Sequence, residues 1–393
     1  MGEAMLIEGA RVAISPTNAV AMNLWLHNGL VSFFPVSANH GAALNLKNYL
    51  VLPGLINAHE HLELNLFPRL GRGPYPNATA WAKDIFHPQE PPVREHIHIP
   101  KSMRLRWGAL KNLISGVTTV AHHNATPPEM FNGTFPVRVV RRFGWAHSIA
   151  FSPDWKIRMQ QTPADCPFII HAAEGTDEAA NRELYVLAEA GALRRPTLFV
   201  HAVAVRPADL PTLSASSASV VWCPSSNQFT LGRSLDTSLL DSGIPIALGT
   251  DSAMTASGDM LDELRVAHSV MSTRRLYRMV TSEPARMLNL PAGFGKICQG
   301  GPADLIVMPD TDLTPADALL QHCPELVIVG GRIRLLSFNF AHHCPQNLVK
   351  SLQRLHVEGR GWYWVAEDTA SLLREARRTL KEDIRLAGKA VAA

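Results

Sequence analysis

The hydrophobic pattern of the chain changes near residue 54. Before that point, short apolar runs such as MLIEGARVAIS and LNLKNYLVLPG are broken by turn-forming residues, which is typical of the strands of a small sheet. From Gly54 onward, apolar runs of strand length alternate with amphipathic stretches at helical spacing. That alternation indicates parallel β/α units.

The second region contains seven strand candidates. In chain order they are GLINAHEH, VTTVAHH, WAHSIAFS, FIIHAAE, TLFVHAV, SVVWCPSSN and IPIALGTDS. Helices are predicted over 101–115, 177–190, 234–242, 259–271 and 273–289. A barrel of this type has eight strands, so one strand is missing. Because the segment between Ser152 and Phe168 is too short and too polar for a full strand and helix, we expect a reduced or irregular fourth unit there.

Both chain ends are predicted to meet in one small domain. After the barrel, ADLIVMP and LVIVGGRIRLLS have the pattern of strands that could rejoin the N-terminal runs. The predicted fold class is therefore α/β, a (β/α)8 TIM-like barrel over 53–299 with a small β-sandwich domain formed by residues 1–52 and 300–340. Residues 341–393 are expected to form a C-terminal helical extension.

Composition excludes several classes of protein. Hydrophobic residues make up 46% and charged residues 18% of the chain, which is ordinary for a soluble globular enzyme. The net charge of +3 is spread without runs of like charge, so neither a nucleic-acid nor a membrane partner is indicated. No apolar stretch reaches the roughly 18 residues that span a bilayer. The 5 cysteines lack paired short spacing, which favours a cytoplasmic protein without disulfides.

The strongest local signal is the pair His59 and His61 at the end of an apolar run. Residues two apart on a strand point to the same side, so both imidazoles can face the barrel axis while Glu60 faces the helices. Two imidazoles at that spacing suit an ion of the zinc class. Taken alone, such a pair is more often a pair of solvated or hydrogen-bonded histidines than a metal site.

Further chemical groups recur at the ends of later strand candidates. His171 and Glu174 end one run, His201 ends the next, and Asp251 ends the last. In a parallel barrel all C-terminal strand ends meet at one face, where the active sites of this fold lie. Imidazole and carboxylate groups are the ligands of a catalytic zinc site. The whole set therefore predicts a metal centre that the single motif does not establish.

With these motifs the chain resembles the amidohydrolase superfamily, in the branch that includes cytosine deaminase, guanine deaminase and the triazine hydrolases. The matching stretches cover nearly all of residues 51–310. They are LPGLINAHEHLE, SGVTTVAHHN, FIIHAAE, TLFVHAV, VVWCPSSNQFTLG, IPIALGTDSAMTASGDMLDELRVA and SEPARMLNL followed by GPADLIVMPD.

The resemblance implies one divalent metal ion, Zn²⁺ or Fe²⁺, bound by four ligands: His59, His61, His171 and Asp251. It also implies that His201 contacts the activated water or the substrate, and that Glu174 and Asp251 move protons. Binuclear relatives use a carboxylated lysine on the fourth strand. Between Asn124 and His171 the one lysine is Lys156, in a polar segment, so a second ion is not expected.

Other positions are predicted less directly. The loop after the first strand is rich in Gly and Pro, and loops at this face usually shape the pocket. Four residues of this loop are candidates for substrate binding: Arg69, Arg72, Tyr75 and Trp81. A fifth candidate, His123, lies at the end of the second strand. Of His122 and His123, one should point inward. A structural alternative for Glu174 is a carboxylate at the start of a helix.

The expected function is metal-dependent hydrolysis of a C–N bond in a small-molecule substrate. Deamination of a nitrogen heterocycle by metal-activated water is the first hypothesis. Hydrolysis of a cyclic amide or of another ring substituent is the alternative, and a catalytically silent barrel used as a scaffold is a third. The sequence is compatible with a homo-oligomer.

Overall fold

The N-terminal region folds into strands that precede the barrel. A computed structural model describes residues 4–36 and 40–393 of the chain, so residues 1–3 and 37–39 of the predicted small domain lie outside the described part. The first strands are β1 (Ala4–Ala13), β2 (Ala19–His27), β3 (Leu30–Ser32), β4 (His40–Asn45) and β5 (Tyr49–Pro53).

A barrel of eight parallel strands follows in the described part of the chain. Its strands are β6 (Leu55–Glu60), β7 (Val117–His122), β8 (Arg138–Val139), β9 (Gly144–Ala146), β10 (Phe168–Ala172), β11 (Thr197–His201), β12 (Ala218–Trp222) and β13 (Ile246–Leu248). Strands β6 to β8 pair in one sheet and β9 to β13 in a second. A parallel bridge between Glu60 and Asp251 joins the first strand to the segment after the eighth. The predicted TIM-like barrel is confirmed.

Helices of the barrel follow most of these strands. Their bounds are α1 (Ala78–Ile85), α2 (Val93–His98), α3 (Lys101–Leu113), α4 (Trp155–Gln161), α5 (Glu178–Glu189), α6 (Leu210–Ser214), α7 (Pro224–Leu231), α8 (Thr237–Asp241), α9 (Met260–Ala267), α10 (Thr273–Met279) and α11 (Ser282–Met287).

The reduced unit is the third, not the fourth. Helix α4 lies in the segment where the gap was expected, and it completes the fourth unit. The shortage lies at β8, which has two residues and reaches β9 through residues 140–143 without a helix. The sequence hid this strand because Arg138, Arg141 and Arg142 interrupt its apolar run.

One predicted helix is two helices in the structure. The stretch 273–289 is divided into α10 and α11 at Val280 and Thr281. Pro284 has no N–H to donate to the carbonyl of Val280, and its ring would crowd that carbonyl in a continuous helix. The carbonyl instead accepts a hydrogen bond from the N–H of Ile56 at 2.8 Å, which attaches the helix pair to the first barrel strand.

Strands from both chain ends join one sheet. After the barrel come β14 (Leu305–Pro309), α12 (Pro315–Gln321), β15 (Leu326–Val329), β16 (Arg332–Ser337), α13 (Gln346–Val349), β17 (Gln353–Val357), β18 (Gly361–Val365), α14 (Thr369–Leu380), β19 (Arg385–Leu386) and β20 (Lys389–Ala392). These strands and β1 to β5 form a 12-stranded sheet in the described residues, with β14 antiparallel to β5. The sandwich arrangement and the domain boundaries stay predictions.

The expected helical extension over 341–393 is wrong in large part. Its main helix is α14, and the rest contributes four strands to the large sheet. A hairpin joins β17 to β18 through Gly359 and Gly361, which have φ of +74° and +84°. Glycine adopts such angles without steric cost. The two turn glycines and the alternating residues of GWYWV were the signal for strands.

A buried ion pair fastens this C-terminal region to the barrel. Arg360 Nη2 lies 2.6 Å from Asp259 Oδ2, and the two side chains are 5% and 0% exposed. Arg360 Nη1 also donates to the carbonyl of Ile114 at 3.1 Å. Asp259 in turn accepts from the N–H groups of Leu261 and Asp262 at the start of α9.

We expect Arg360→Met to lower the free energy of unfolding by about 3–5 kcal/mol, because it leaves the Asp259 carboxylate buried without its counter-ion. The measurement is urea denaturation followed by circular dichroism. Arg378→Met is the matched control, since Arg378 pairs with Glu375 on the exposed side of α14. Equal unfolding midpoints for the two variants would show that the buried pair contributes nothing.

Candidate metal centre

The C-terminal ends of the barrel strands bring the predicted site residues together. His59 lies on β6, with His61 just after it, and His171 lies on β10. His201 ends β11, and Asp251 follows β13. His201 and Asp251 have φ of +74° and +52°, a left-handed backbone that is uncommon for residues with a side chain and that clusters at functional sites.

Four donor atoms point at a common centre. The Nε2 atoms of His59 and His171 are 3.2 Å apart, and those of His61 and His171 are 3.4 Å apart. Asp251 Oδ1 lies 3.8 Å from Nε2 of both His59 and His61. Zinc–nitrogen bonds of 2.0–2.1 Å in a tetrahedron put ligand atoms about 3.3 Å apart. The four atoms therefore have the spacing of a tetrahedral metal site.

Hydrogen bonds on the far side of two of the rings, those of His59 and His171, favour metal-binding tautomers. His171 Nδ1 donates to the carbonyl of His147 at 2.6 Å, which leaves its Nε2 without hydrogen. His123 Nε2 donates to the carbonyl of Ala146 at 3.0 Å, so its Nδ1 accepts the hydrogen of His59 Nδ1 at 3.2 Å. Burial lowers the pKa of His59 and His171 well below the ordinary value, which keeps both rings neutral.

The facing nitrogens need a cation between them. Nε2 of His59 and of His171 both present lone pairs across 3.2 Å, and two lone pairs at that distance repel. A divalent ion at the centre would convert this repulsion into coordination. The donor set of three imidazoles and one carboxylate suits zinc. The residues present therefore fit the metal that the sequence predicted.

His123 belongs to this cluster by distance but has other partners. Together with His59, His61 and His171 it offers ligand atoms within 4.8 Å of one another. Both of its ring nitrogens are already hydrogen-bonded, one to His59 and one to the carbonyl of Ala146. Its place behind His59 orients that ring. Of the two adjacent histidines, His123 points inward to the cluster. The other, His122, faces Glu63, with its Nε2 3.4 Å from Glu63 Oε2.

Asp251 is held by two hydroxyl groups. Ser226 Oγ and Thr255 Oγ1 donate to Oδ2 at 2.6 and 2.9 Å, which leaves Oδ1 free to face the histidines. Burial by itself would raise the pKa of this carboxyl, but His201, His61 and the two hydroxyls hold it below the ordinary value. Asp251 is therefore a carboxylate, as metal binding requires.

His201 and Glu174 form a polar pair beside the four donors. His201 Nδ1 donates to Asn227 Oδ1 at 2.8 Å, and its Nε2 lies 3.5 Å from Glu174 Oε1. Among the described residues this Nε2 has no hydrogen-bond partner. Burial raises the pKa of Glu174 to about 7. The side chain that caps α5 is that of Asp177, which accepts from Ala180 N at 2.9 Å. Glu174 is therefore not a helix cap.

A cavity of about 220 Å³ reaches His171 and Glu174. Its remaining wall comes from the start of α1, the loop after β9 and helix α5, with Asn77, Ala78, Thr79, His147, Ser148, Ala150, Phe151, Ala179, Ala180 and Glu183. This wall contains no lysine or arginine among the described residues. His147 was missed from sequence because the predicted strand WAHSIAFS ran past it, whereas β9 ends at Ala146.

The predicted substrate contacts in the first loop do not line this cavity. Trp81 Nε1 donates to the carbonyl of Leu70 at 3.0 Å, and Tyr75 OH donates to Asp84. Arg69 lies over the ring of Phe229, 4.9 Å from its centroid. Arg72 offers its backbone N–H to Tyr75. Substrate binding by Arg69, Arg72, Tyr75 and Trp81 stays a prediction.

Comparison with known proteins agrees with this geometry. The sequence profile of the amidohydrolase family matches residues 164–334. The 5-methylthioadenosine/S-adenosylhomocysteine deaminase of Pyrococcus furiosus is 26% identical over 67% of this chain and 76% of its own length. The enzyme of the same name from Halobacterium salinarum is 26% identical over 70% of this chain and 76% of its own length.

Solved structures show the same fold. An adenosine deaminase from Xanthomonas campestris with bound zinc has a TM-score of 0.71 and 18% identity, over 96% of this chain and 98% of that chain. A triazine hydrolase variant has a TM-score of 0.68 and 16% identity, over 97% of this chain and 100% of that chain. Residues 164–334 therefore match the amidohydrolase family, and the predicted resemblance to this class of hydrolases acting on C–N bonds is confirmed.

One helix holds two of the site's polar groups. Helix α7 contributes Ser226, which donates to Asp251, and Asn227, which accepts from His201. Glu263 on α9 accepts from the N–H of Ser225 at 3.0 Å, and it is fully buried. A carboxylate at the first turn stabilises a helix start. Glu263 therefore fixes the end of α7 that carries both contacts.

We expect Glu263→Ala to weaken binding of a divalent metal by about tenfold, the lower part of the range for groups that orient ligands. The measurement is competition with a chelator of known affinity for zinc. Glu283→Ala is the control, because that carboxylate lies on α11 and pairs with Arg286. Unchanged zinc affinity in Glu263→Ala would show that the start of α7 does not depend on this carboxylate.

Proposed function

We propose that the protein is a metal-dependent deaminase that replaces an exocyclic amino group of a nitrogen heterocycle with oxygen from water, releasing ammonia. The observation that carries the proposal is the pair of facing imidazole lone pairs at His59 and His171, with a carboxyl of pKa about 7 at Glu174 beside them. The facing imidazoles provide a cation site, and the Glu174 carboxyl provides a group that can carry a proton.

We infer that one divalent ion is held by His59, His61, His171 and Asp251, and that zinc fits the donor set better than iron. Such an ion supplies a water nucleophile near neutral pH by lowering the pKa of that water. The zinc named with two of the similar structures supports this choice. Lys156 lies on α4 with its ammonium 5.5 Å from the ring of Trp155, which gives no support for a second ion.

Glu174 and His201, which lie beside the four metal-ligand atoms, have different roles in the reaction. Glu174 exchanges between its two forms near neutral pH, so it can take a proton from water and pass it to a ring nitrogen. His201 Nε2 lies between Glu174 and Asp251, at 3.5 and 4.0 Å, and can orient the group under attack. The second proton of the same water, carried through Asp251 to the amino group, lets ammonia leave as the C–N bond breaks and the new C–O bond becomes a carbonyl.

The cavity supports an uncharged heterocycle as substrate. Its described wall has two carboxyl groups, Glu174 and Glu183, and no cation to hold a phosphate or carboxylate group. Burial raises the pKa of both carboxyls to about 7. Phe151 offers an aromatic face at the same cavity. Of the two adenosine derivatives named for the relatives, 5-methylthioadenosine is uncharged and fits this description, whereas S-adenosylhomocysteine carries a carboxylate that this wall has no cation to hold.

The direct test is ammonia release by zinc-loaded protein from 5-methylthioadenosine, S-adenosylhomocysteine, adenosine, guanine and cytosine. We expect one ammonia per substrate consumed, with the change in ultraviolet absorbance of a deaminated ring. A cyclic amide is included in the panel. Ring opening without ammonia would replace deamination with amide hydrolysis, and turnover of neither class would leave a scaffold.

We expect His61→Ala to lose both bound metal and activity, because it removes one of four ligands from a centre that needs complete coordination. Zinc content is measured by elemental analysis alongside ammonia release. The unsubstituted protein should hold one ion per chain. Two ions at full activity would contradict the mononuclear site, and full zinc content in His61→Ala would exclude His61 as a ligand.

For Glu174→Gln we expect retention of metal with a loss of about 10²–10⁴-fold in kcat, since glutamine keeps the shape but cannot exchange a proton near neutral pH. Glu178→Gln is the matched control, because Glu178 is exposed at the start of α5 and pairs with Arg206. Loss of metal in Glu174→Gln would make Glu174 a ligand. Near-normal kcat would remove it from the chemistry.

Localisation and assembly stay predictions. Among the residues that the structure describes, no helix is long and apolar enough to cross a membrane.

A further inference from the structure

The short third unit leaves a groove on the barrel. The groove has a volume of about 900 Å³, and its walls come from residues 130–142, residues 288–294 after α11, and the turn between β15 and β16. None of its lining residues lines the cavity at His171 and Glu174. Sites for small organic ligands usually have volumes of about 300–1,000 Å³, so the groove is large enough to hold one.

Arginine dominates the charge of this groove. Its lining includes Arg138, Arg141, Arg142, Arg332 and Arg334, and no aspartate or glutamate is among the described lining residues. Two of the five have acidic partners just outside the groove. Arg138 forms a bidentate pair with Asp304 at 3.1 Å, and Arg142 pairs with Asp165 at 2.6 Å.

The other three arginines gather at one loop. Arg141 Nη2 donates to the carbonyl of Phe131 at 3.2 Å, and Arg334 Nη2 donates to that of Gly133 at 2.5 Å. Arg332 Nη1 lies 3.8 Å from the position that a Cβ atom on Gly133 would take. In residues 4–36 and 40–393, no salt bridge within 4.0 Å involves any of these three guanidinium groups.

Three like charges around one loop repel each other unless an anion lies among them. Burial, Arg332 and Arg106 lower the pKa of Arg334 against the opposing effect of Glu367, a carboxylate that is itself paired with Arg106. Arg334 Nε is buried without a hydrogen-bond partner among the described residues. Guanidinium groups bind phosphate oxygens through paired N–H donors. The local chemistry therefore favours a phosphate-sized anion.

Aromatic and aliphatic side chains lie next to these charges. The Phe131 ring has Arg141 over it at 4.4 Å, and the Phe294 ring has Arg138 over it at 5.4 Å. Leu290 also lines the groove. An apolar wall next to a cationic end suits a ligand that has a ring at one end and an anion at the other.

We propose that this groove binds an organic phosphate that carries an aromatic ring, with the phosphate at Arg141, Arg332 and Arg334 and the ring against Phe294 and Leu290. The site is separate from the metal centre and does not depend on the proposed deamination.

Isothermal titration of the zinc-loaded protein tests this with three probes: phenyl phosphate, inorganic phosphate and phenol. We expect phenyl phosphate to bind one per chain and at least about tenfold more tightly than either of the others, because it alone satisfies both ends of the groove. Arg332→Ala and Arg141→Ala should each weaken it by about tenfold or more. Added salt should weaken binding, since the charges face water.

Two controls separate this groove from other sites. Arg206→Ala removes an arginine that pairs with Glu178 elsewhere on the surface, and it should leave phenyl phosphate binding unchanged. His61→Ala should also leave it unchanged, because that variant alters the metal centre. Absence of phenyl phosphate binding, equal binding of phenol, full binding in Arg332→Ala, or loss in His61→Ala would each overturn the proposal.

Discussion

The buried carboxylate of Glu60 is the group on which the metal centre most depends. It lies between His59 and His61 in the chain and faces the helices, as residue alternation on a strand requires. Lys111 Nζ lies 3.2 Å from its Oε2, and both side chains are almost fully buried. Thr250 Oγ1 donates to the same oxygen at 2.7 Å. One side chain thus joins the first strand to α3 and to the segment before Asp251.

Burying the Glu60–Lys111 ion pair costs desolvation free energy, and this explains why so many hydrogen bonds surround it. A buried ion pair repays its desolvation only when the remaining donors and acceptors are also satisfied. Asn112 and Asn65 supply further N–H donors to Glu60, at 3.0 and 2.9 Å, and Asn65 Oδ1 accepts from Lys111 at 2.7 Å. Such a network has one low-energy arrangement. The histidines on either side of Glu60 are therefore held in one orientation.

The sequence predicted the parts of the site that follow from strand geometry. His59, His61, His171 and Asp251 could be placed together because alternation fixes the face of each strand residue and barrel closure fixes which ends meet. The groups that hold them, such as Ser226 and Glu263, lie on helices, where a polar residue near a helix start has the same pattern whether it caps the helix or supports a site.

The errors in the fold have related physical causes. Strand β8 was hidden because it has two residues, one of them Arg138, and because Arg141 and Arg142 follow it and also line the groove. The C-terminal strands were taken for helix because α14 dominates the pattern of that region. The places of these strands in the sheet are determined by hydrogen bonds to residues distant in the chain, here from β18 to β16 and from β17 to β20. A local hydrophobic period contains no information about those partners.

Burial shifts the pKa values of the site's imidazoles and of Glu174 in opposite directions. Loss of water lowers the pKa of His59, His123 and His171, since their charged form is a cation, and raises that of Glu174, since its charged form is an anion. The same desolvation thus gives neutral imidazoles, which can bind a metal, and a carboxyl that exchanges protons near pH 7. Asp251 escapes this effect because two hydroxyls and nearby imidazoles stabilise its charge. The pKa values of the two carboxyl groups therefore differ because of their surroundings: imidazoles and hydroxyl donors stabilise the charge of Asp251, whereas burial dominates at Glu174.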